Sequence, residues 1–200
     1  MDKHQTLTYY QEHGQEFIER TQNIDFGFLQ KNFLNYLPTF ARILDFGCGS
    51  GRDALFFASQ GYDVTALDAT PFFVERLQAM GIKARCLLFE EFQDEEAWEG
   101  IWACASLLHL SYLELDSTLA ALYKALVPQG ILYCSFKKGD FEGIRQGRYF
   151  LDVTLSSLIP HLQVVGFEIL EAFESEDTRK EVQTPWINVI AIKPLGPDKV

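Results

Sequence analysis

ILDFGCGSGRD, residues 43–53, is the most informative stretch of this 200-residue sequence. A short apolar run ends in an acid, and three glycines then alternate with small residues. The apolar residues of 54–58 have helical spacing, Gln60-Gly61 ends that helix, and a second apolar run, 64–67, ends at Asp68. The order is strand, glycine loop, helix, strand, acid, which predicts a parallel βαβ unit.

The βαβ unit predicts where a ligand binds. It places the loop after its first strand at the carboxyl edge of the sheet, where open α/β sheets hold their ligands. Glycines let the backbone turn sharply there and approach a ligand without a Cβ in the way. Asp68 follows the glycines by about 20 residues, and an ionised carboxylate can accept both hydrogen bonds of a ribose diol. The unit therefore predicts a nucleoside site.

The glycine spacing separates two classes of nucleoside ligand. A dinucleotide fingerprint reads G-x-G-x-x-G, and its last glycine packs the helix against the strand. This sequence reads G-x-G-x-G, with Arg52 in place of that last glycine and Asp45 closing the first strand. A carboxylate there suits a cationic ligand better than a pyrophosphate. The pattern favours a nucleoside with a positively charged amino-acid tail, and a dinucleotide-dependent oxidoreductase is the less favoured alternative.

The same residues resemble a known family. Residues 43–53 with Asp68 are similar to motif I and the following acidic motif of class I S-adenosylmethionine (SAM) methyltransferases. A second stretch, GIWACASLLH at 100–109, resembles small bacterial methyltransferases of the tellurite-resistance-like, small-molecule type. The resemblance covers residues 40–136 well. It implies SAM as cofactor, S-adenosylhomocysteine (SAH) as product, and methyl transfer to a small-molecule acceptor by in-line displacement.

The expected fold is α/β. The resemblance implies a Rossmann-like, doubly wound, mostly parallel seven-stranded sheet with a C-terminal antiparallel hairpin and N-terminal helices over the cofactor site. The length predicts a single domain over 1–200, with a helical cap at 1–40 and the core at 41–200. Beyond the βαβ unit, we expect helices at Tyr9–Thr21, Phe26–Tyr36 and Thr154–Leu162, the last kinked or shortened by Pro160, and strands at Ile82–Leu88, Ile101–Ala105, Ile131–Phe136, Phe167–Phe173 and Trp186–Lys193.

The resemblance also assigns cofactor contacts. The glycine loop would present backbone to the methionine part, Asp45 would engage the ammonium directly or through water, and Asp68 would bind the ribose. Glu91 would accept the adenine amino group, and the alternative for it is a solvated acid within a local acidic run. The expected cofactor-binding set is Asp45, Gly47, Cys48, Gly49, Gly51, Asp68, Ala69, Glu91, Phe92 and Ala105.

Candidates for contact with the acceptor are fewer. His109 follows the fourth strand at the ligand edge, and it is the only nearby side chain that titrates near neutrality, so it is either a general base, a contact residue or structural. The loop 137–150 carries basic residues in an acidic protein, which suits either an anionic acceptor or an ordinary charged loop. Arg52 either contacts the acceptor or pairs with an acid on its helix, and pairing is favoured. The expected substrate-binding set is Tyr9, Tyr10, Arg52, His109, Lys137, Arg148 and Trp186.

Composition limits the partners. A net charge of −11 repels phosphate backbones, so nucleic acid is not expected. The four cysteines form no C-x-x-C pair or zinc spacing, so no metal is expected. A polar start and the lack of a long apolar run predict a cytoplasmic protein without membrane association. A monomer and a homodimer both remain open, as do a SAM-binding sensor or scaffold without methyl transfer and, less favoured, a protein or RNA methyltransferase.

Overall fold

The computed structural model describes residues 3–177 and 184–196. Within them the chain forms nine strands: β1 (Arg42–Phe46), β2 (Asp63–Asp68), β3 (Lys83–Cys86), β4 (Trp98–Ala103), β5 (Leu126–Lys137), β6 (Glu142–Arg145), β7 (Arg148–Leu151), β8 (Glu168–Ser175) and β9 (Trp186–Ile192). Seven of these strands form one sheet in the order β3-β2-β1-β4-β5-β9-β8. Strands β1 to β5 run parallel, and β9 lies antiparallel between β5 and β8. The sheet confirms the expected mostly parallel architecture with a C-terminal antiparallel pair.

Helices cover both faces of the sheet. They are α1 (Lys3–Thr21), α2 (Gly27–Leu34), α3 (Arg52–Ser59), α4 (Pro71–Ala79), α5 (Tyr112–Ala125) and α6 (Leu155–Val165), and two single 3₁₀ turns lie at Phe89–Glu91 and Leu107–His109. The sequence encodes the start of α5 in a capping box. The Ser111 hydroxyl accepts a hydrogen bond from the Glu114 N–H, and the Glu114 carboxylate accepts one from the Ser111 N–H at 2.9 Å.

The core lies on the two faces of the sheet. On the face covered by α5 and α6, leucines such as Leu115 and Leu122 are fully buried. On the other face the packing is aromatic: Phe33 and Phe57 surround Trp102, whose indole stacks on the Tyr133 ring with centroids 3.9 Å apart. Large buried rings of this kind fix the sheet and hold its carboxyl edge in a defined geometry.

The structure corrects the interpretation of residues 137–150 as a loop. Strands β6 and β7 form an antiparallel hairpin there, with Arg145 opposite Arg148. Gln146 and Gly147 connect the strands, and both have positive φ, +52° and +76°. A two-residue turn with positive φ at both positions matches the twist of a hairpin, and glycine is preferred in it. The segment was predicted to be a loop because of its charged composition, and this turn was not predicted.

Smaller differences concern where elements begin and end. Helix α1 begins at Lys3 rather than Tyr9, and β5 begins at Leu126 rather than Ile131. Helix α6 continues through Pro160 to Val165, so Pro160 does not shorten it. Its apolar face stays buried through Leu158 and Leu162. Part of the segment between β8 and β9 lies outside the described residues.

Candidate active site

One cavity of about 650 Å³ opens at the carboxyl ends of the parallel strands. This volume is typical of a site for a small molecule or cofactor. Helix α1 covers the cavity with Tyr10 and Phe17, and it is fixed to β7 because the Thr6 hydroxyl accepts the Tyr149 N–H at 2.9 Å. The predicted residues that line the cavity are Tyr10, Gly47, Cys48, Gly49, Arg52, Asp68, Ala69, Ala105, His109, Lys137, Arg148 and Trp186.

Asp68 organises one end of the cavity. One carboxylate oxygen accepts the Gly49 N–H at 2.9 Å, and the other accepts the Thr70 N–H at 2.8 Å. Burial raises the pKa of Asp68, and the hydrogen bonds from these two N–H groups oppose that rise. Each oxygen keeps a lone pair after accepting one hydrogen bond. Asp68 therefore holds the glycine loop against β2 and retains the capacity to accept the two hydroxyls of a diol.

The first glycine of the loop allows close approach. Gly47 has φ +84°, and a Cβ added there would lie 2.4 Å from the Ser106 Cβ. Any side chain would thus displace the segment that follows β4. The Ser106 hydroxyl itself is buried, lines the cavity and has no hydrogen-bond partner among the described residues. A narrow cradle of bare backbone with an unpartnered hydroxyl beside it fits the polar amino-acid part of a SAM-like ligand.

The end of β4 is held in an unusual conformation. Ala105 has φ +52°, which is uncommon for a residue with a side chain. Its N–H donates to the Ser135 hydroxyl on β5 at 2.9 Å. Strain of this kind persists where the surroundings fix it, and it clusters at ligand sites. Ser135 was not predicted as a site residue, and it lines the cavity as well.

Asp53 is a second residue that the sequence-based prediction missed. Its carboxylate accepts hydrogen bonds from Gln30 at 2.6 Å, from Trp102 at 2.9 Å, and from two nitrogens of Arg52, both at 2.8 Å. Burial alone would lower the pKa of Arg52, but the adjacent Asp53 charge raises it overall. The structure thus places Arg52 in a pair with an acid of its own helix, and the network joins α2 to the start of α3.

Asp45, predicted to contact the ammonium directly or through water, is not among the residues that line the cavity. It is 2% exposed, and its carboxylate accepts the Ala54 N–H of α3 at 3.1 Å. Burial, and to a lesser degree the neighbouring Asp53 charge, raises the pKa of Asp45 well above its usual value. The side chain thus satisfies a backbone donor at the start of α3.

Four other predicted residues lie outside the cavity lining. The Glu91 carboxylate accepts the Leu88 N–H at 3.0 Å and closes its own 3₁₀ turn, and Glu90 lines the cavity in its place. Phe92 is buried against Phe46 in the core. Gly51 provides the left-handed residue that begins α3, where a Cβ would meet the Leu77 side chain at 2.4 Å. Tyr9 faces a separate shallow cleft and stacks on His13.

His109 lies at the other end of the cavity with both ring nitrogens engaged. Nδ1 is 2.7 Å from the Tyr149 carbonyl oxygen, which can only accept, so Nδ1 carries the proton and donates it. Nε2 then accepts the hydroxyl proton of Tyr10 at 2.8 Å. Burial lowers the pKa of His109 to about 4. At neutral pH His109 is therefore an uncharged ring with a fixed tautomer.

The basic residues of the segment 137–150 differ in whether they contact carboxylates or aromatic rings. Lys138 pairs with Glu174 at 2.7 Å and Arg145 pairs with Asp152 at 2.8 Å. Lys137 lies over the Phe150 ring at 4.9 Å. Arg148 lies against the rings of Tyr9, Tyr10 and Phe150, and no carboxylate of the described residues is within 4.0 Å of its guanidinium.

The sheet order, the glycine loop and the strand-end acid define a class. The chain carries a Rossmann-like domain, and its fold is similar to that of solved SAM-dependent methyltransferases. The family model described as a methyltransferase domain matches residues 43–130. A curated relative, "Putative methyltransferase YqeM" of Bacillus subtilis (strain 168), is 27% identical over 113 residues, which are 50% of this chain and 46% of that protein. The chain thus spans about half the length of the curated relative it matches.

Solved structures show the same fold. Burkholderia thailandensis 1,6-didemethyltoxoflavin-N1-methyltransferase, with 1,6-didemethyltoxoflavin and SAH bound, superposes with a TM-score of 0.78 at 21% identity, over 94% of this chain and 85% of that one. A TehB-like SAM-dependent methyltransferase from Corynebacterium glutamicum superposes with a TM-score of 0.73 at 22% identity, over 91% and 98% of the two chains.

Within residues 3–177 and 184–196, no group of three or more histidine, cysteine, aspartate or glutamate side chains is arranged to hold a metal ion. In the same residues, no helix combines the length and the apolar character that crossing a membrane requires.

Proposed function

We propose that this protein transfers the methyl group of SAM to a small-molecule acceptor. The observation that carries the proposal is Asp68, which binds the glycine loop through Gly49 and retains acceptor capacity toward the cavity. The matched methyltransferase domain and the similar B. thailandensis structure, which holds 1,6-didemethyltoxoflavin and SAH, support it. The expectations of a single cytoplasmic domain, as a monomer or homodimer, are part of the proposal.

The chain offers a contact for each part of the cofactor. Asp68 would hold the ribose hydroxyls, and Gly47 with Gly49 would present backbone to the amino-acid part. Glu90, rather than Glu91, would accept the adenine amino group, because Glu90 is the acid that lines the cavity. Arg52 lines the cavity too, but its guanidinium is already engaged by Asp53.

Little catalytic machinery is needed for this reaction. SAM supplies an activated methyl group: as the bond from the acceptor to the methyl carbon forms, the carbon–sulfur bond breaks, its electron pair stays on sulfur, and SAH leaves. The protein then acts mainly by orienting the acceptor and excluding water, which can lower a barrier by about 7–11 kcal/mol. Tyr10 and Phe17 close the cavity from α1 and serve that purpose.

His109 is a poor candidate for a strong general base. Its Nδ1–H is held by the Tyr149 carbonyl, its Nε2 accepts from Tyr10, and burial lowers its pKa to about 4. A proton from an acceptor would reach Nε2 only through the Tyr10 hydroxyl. An acceptor that arrives already deprotonated needs no such step. The geometry therefore favours an acceptor that is easily ionised.

Calorimetric titration with SAM, SAH and NADH tests the cofactor assignment. Micromolar binding of the two sulfur compounds without binding of NADH is the expected result. Asp68→Ala should weaken SAM binding by about 1.5–3 kcal/mol, the usual contribution of hydrogen bonds to a charged group. An Asp68→Ala variant that folds like the wild type and binds SAM with unchanged affinity would overturn the assignment.

Turnover separates the enzyme from the alternative of a sensor or scaffold. The protein is incubated with SAM and a panel of ionisable small nucleophiles, and SAH is quantified. Acceptor-dependent SAH formation supports the enzyme. Tight SAM binding without SAH formation across thiols, phenols, carboxylates and ring nitrogens would favour a SAM-binding protein that does not transfer the methyl group.

A further inference from the structure

The inference concerns the end of the cavity beyond His109, and it rests on the proposed function. The walls of this end are aromatic, formed by Tyr10 and Phe150 with Trp186 at the start of β9. Arg148 and Lys137 line the same end. Aromatic walls with a few charged groups are typical of sites for flat organic ligands.

Arg148 is the unusual member of this set. Its guanidinium carbon lies 4.5 Å from the centroid of the Tyr9 ring and 5.1 Å from that of Phe150, so the group is held between two rings. Its Nε is buried and has no hydrogen-bond partner among the described residues. Its one hydrogen bond to a side chain is a long one of 3.4 Å to the Tyr10 hydroxyl. A partly buried charge with so few partners is costly unless an anion accompanies it.

Two other basic residues of the segment 137–150 form ion pairs with acids. Arg145 makes a bidentate contact with Asp152, and Lys138 makes an ion pair with Glu174. Neither Arg145 nor Lys138 lines the cavity, whereas Arg148 does. Glu176 and Asp177 also line the cavity, beyond the end of β8, and Asp177 accepts the indole N–H of Trp186. No ion pair joins Arg148 to either of these carboxylates among the described residues.

We propose that Arg148 binds a carboxylate of the methyl acceptor, and that the acceptor is a planar aromatic or heteroaromatic acid stacked among Tyr10, Phe150 and Trp186. A carboxylate matches the flat guanidinium fork, and its charge would compensate that of Arg148, which has no carboxylate of the described residues within 4.0 Å. Phe150, one of the rings against Arg148, also lines the cavity and provides apolar surface on which a flat molecule packs. Neutral His109 adds no charge that would compete with Arg148 for the carboxylate.

Paired probes test the proposal. The protein saturated with SAH is titrated calorimetrically with benzoate, salicylate, anthranilate and nicotinate, each beside its carboxamide. At least one acid should bind about tenfold or more tightly than its amide, the usual effect of hydrogen bonds to a charged group. Arg148→Gln should abolish that preference. The matched control Lys138→Gln removes the same charge from an exposed neighbour and should leave the preference intact.

Each outcome decides one question. Equal binding of acids and amides, no binding of any acid, or a preference that survives in Arg148→Gln would overturn the carboxylate site. Failure of SAH itself to bind would instead refute the proposed function, and titration of the same probes into the free protein would still report on Arg148. Thermal unfolding of Arg148→Gln within a few degrees of the wild type confirms that a lost preference reflects binding and not folding.

Discussion

Acidification should destabilise this protein through one side chain, His109. Its Nδ1–H donates to the Tyr149 carbonyl and its Nε2 accepts from Tyr10, so the folded protein holds the ring uncharged. Burial is the main cause that lowers its pKa from 6.5 to about 4, and the positive charges of Arg148 and Lys137 act in the same direction. An unfolded chain would bind the proton with the ordinary pKa of about 6.5.

The sign and the magnitude follow from that difference. Between pH 6.5 and 4 the unfolded chain binds more protons at this site than the folded chain, so stability falls as the pH falls. Each pH unit of difference corresponds to about 1.4 kcal/mol. Since the two pKa values differ by about 2.5 units, the loss approaches about 3 kcal/mol at pH 4. The contribution is fully present above pH 6.5.

Urea unfolding followed by tryptophan fluorescence measures this effect. Buried acids such as Asp45 and Asp68 have raised pKa values, and they act with the opposite sign in part of this range. The informative quantity is therefore the difference between the wild type and His109→Gln at each pH. From pH 7 to pH 4 the wild type should lose about 3 kcal/mol relative to the variant.

A second variant separates burial from hydrogen bonding. Tyr10→Phe removes the donor to Nε2 but leaves a ring of nearly the same size over His109, so the pH dependence should persist in it. A difference between wild type and His109→Gln that stays constant across the range would refute the conclusion that the folded protein holds His109 neutral. If the wild type instead gained stability relative to His109→Gln on acidification, the folded protein would bind the proton more tightly than the unfolded chain does.

Two further predictions concern the elements that shape the site. Gly51→Ala should destabilise the protein by about 2–4 kcal/mol in denaturant unfolding, because it adds a clash with a buried leucine to the strain of φ +77°. Gly81→Ala is its control: φ is +84° but nothing lies within 4 Å, so about 1–2 kcal/mol of backbone strain alone is expected, and equal losses in both variants would contradict the packing argument. Ser111→Ala removes the capping box of α5 and should cost about 1 kcal/mol, measured in the same assay, while a neutral result would mean that the cap contributes nothing to the free energy of unfolding.

The glycine loop could be predicted because its signals are local. The strand, the glycines and Asp68 lie within 26 residues, and a parallel βαβ unit has essentially one handedness, so the chain order alone sets the place of the site. The β6–β7 hairpin was equally local, since Gln146-Gly147 joins two short alternating segments. It was missed because charge, rather than turn chemistry, was the feature considered.

The direction in which a side chain points was not predictable in the same way. Asp45 and Asp68 both end strands, yet Asp45 meets a free N–H at the start of α3 while Asp68 meets the loop and the cavity. Glu90 and Glu91 are adjacent, and the one whose carboxylate closes the 3₁₀ turn is removed from the cavity. The orientation of each carboxylate depends on which backbone donors lie nearby after folding. The local sequence does not specify those donors.

His109 and Arg148 obtain their chemical state from residues distant in the chain. The histidine lies where the sequence placed it, but its tautomer is set by Tyr10, 99 residues earlier, and by the Tyr149 carbonyl, 40 residues later. The cavity therefore offers an uncharged ring beside a cation, rather than a base beside an acid. Because screening at physiological salt limits charge effects through water to about 8 Å, the overall charge of −11 acts weakly on a small anion that has entered the cavity. There the nearest charge in a low-dielectric wall dominates, so an acidic protein that repels polyanions can still select a small carboxylate through Arg148.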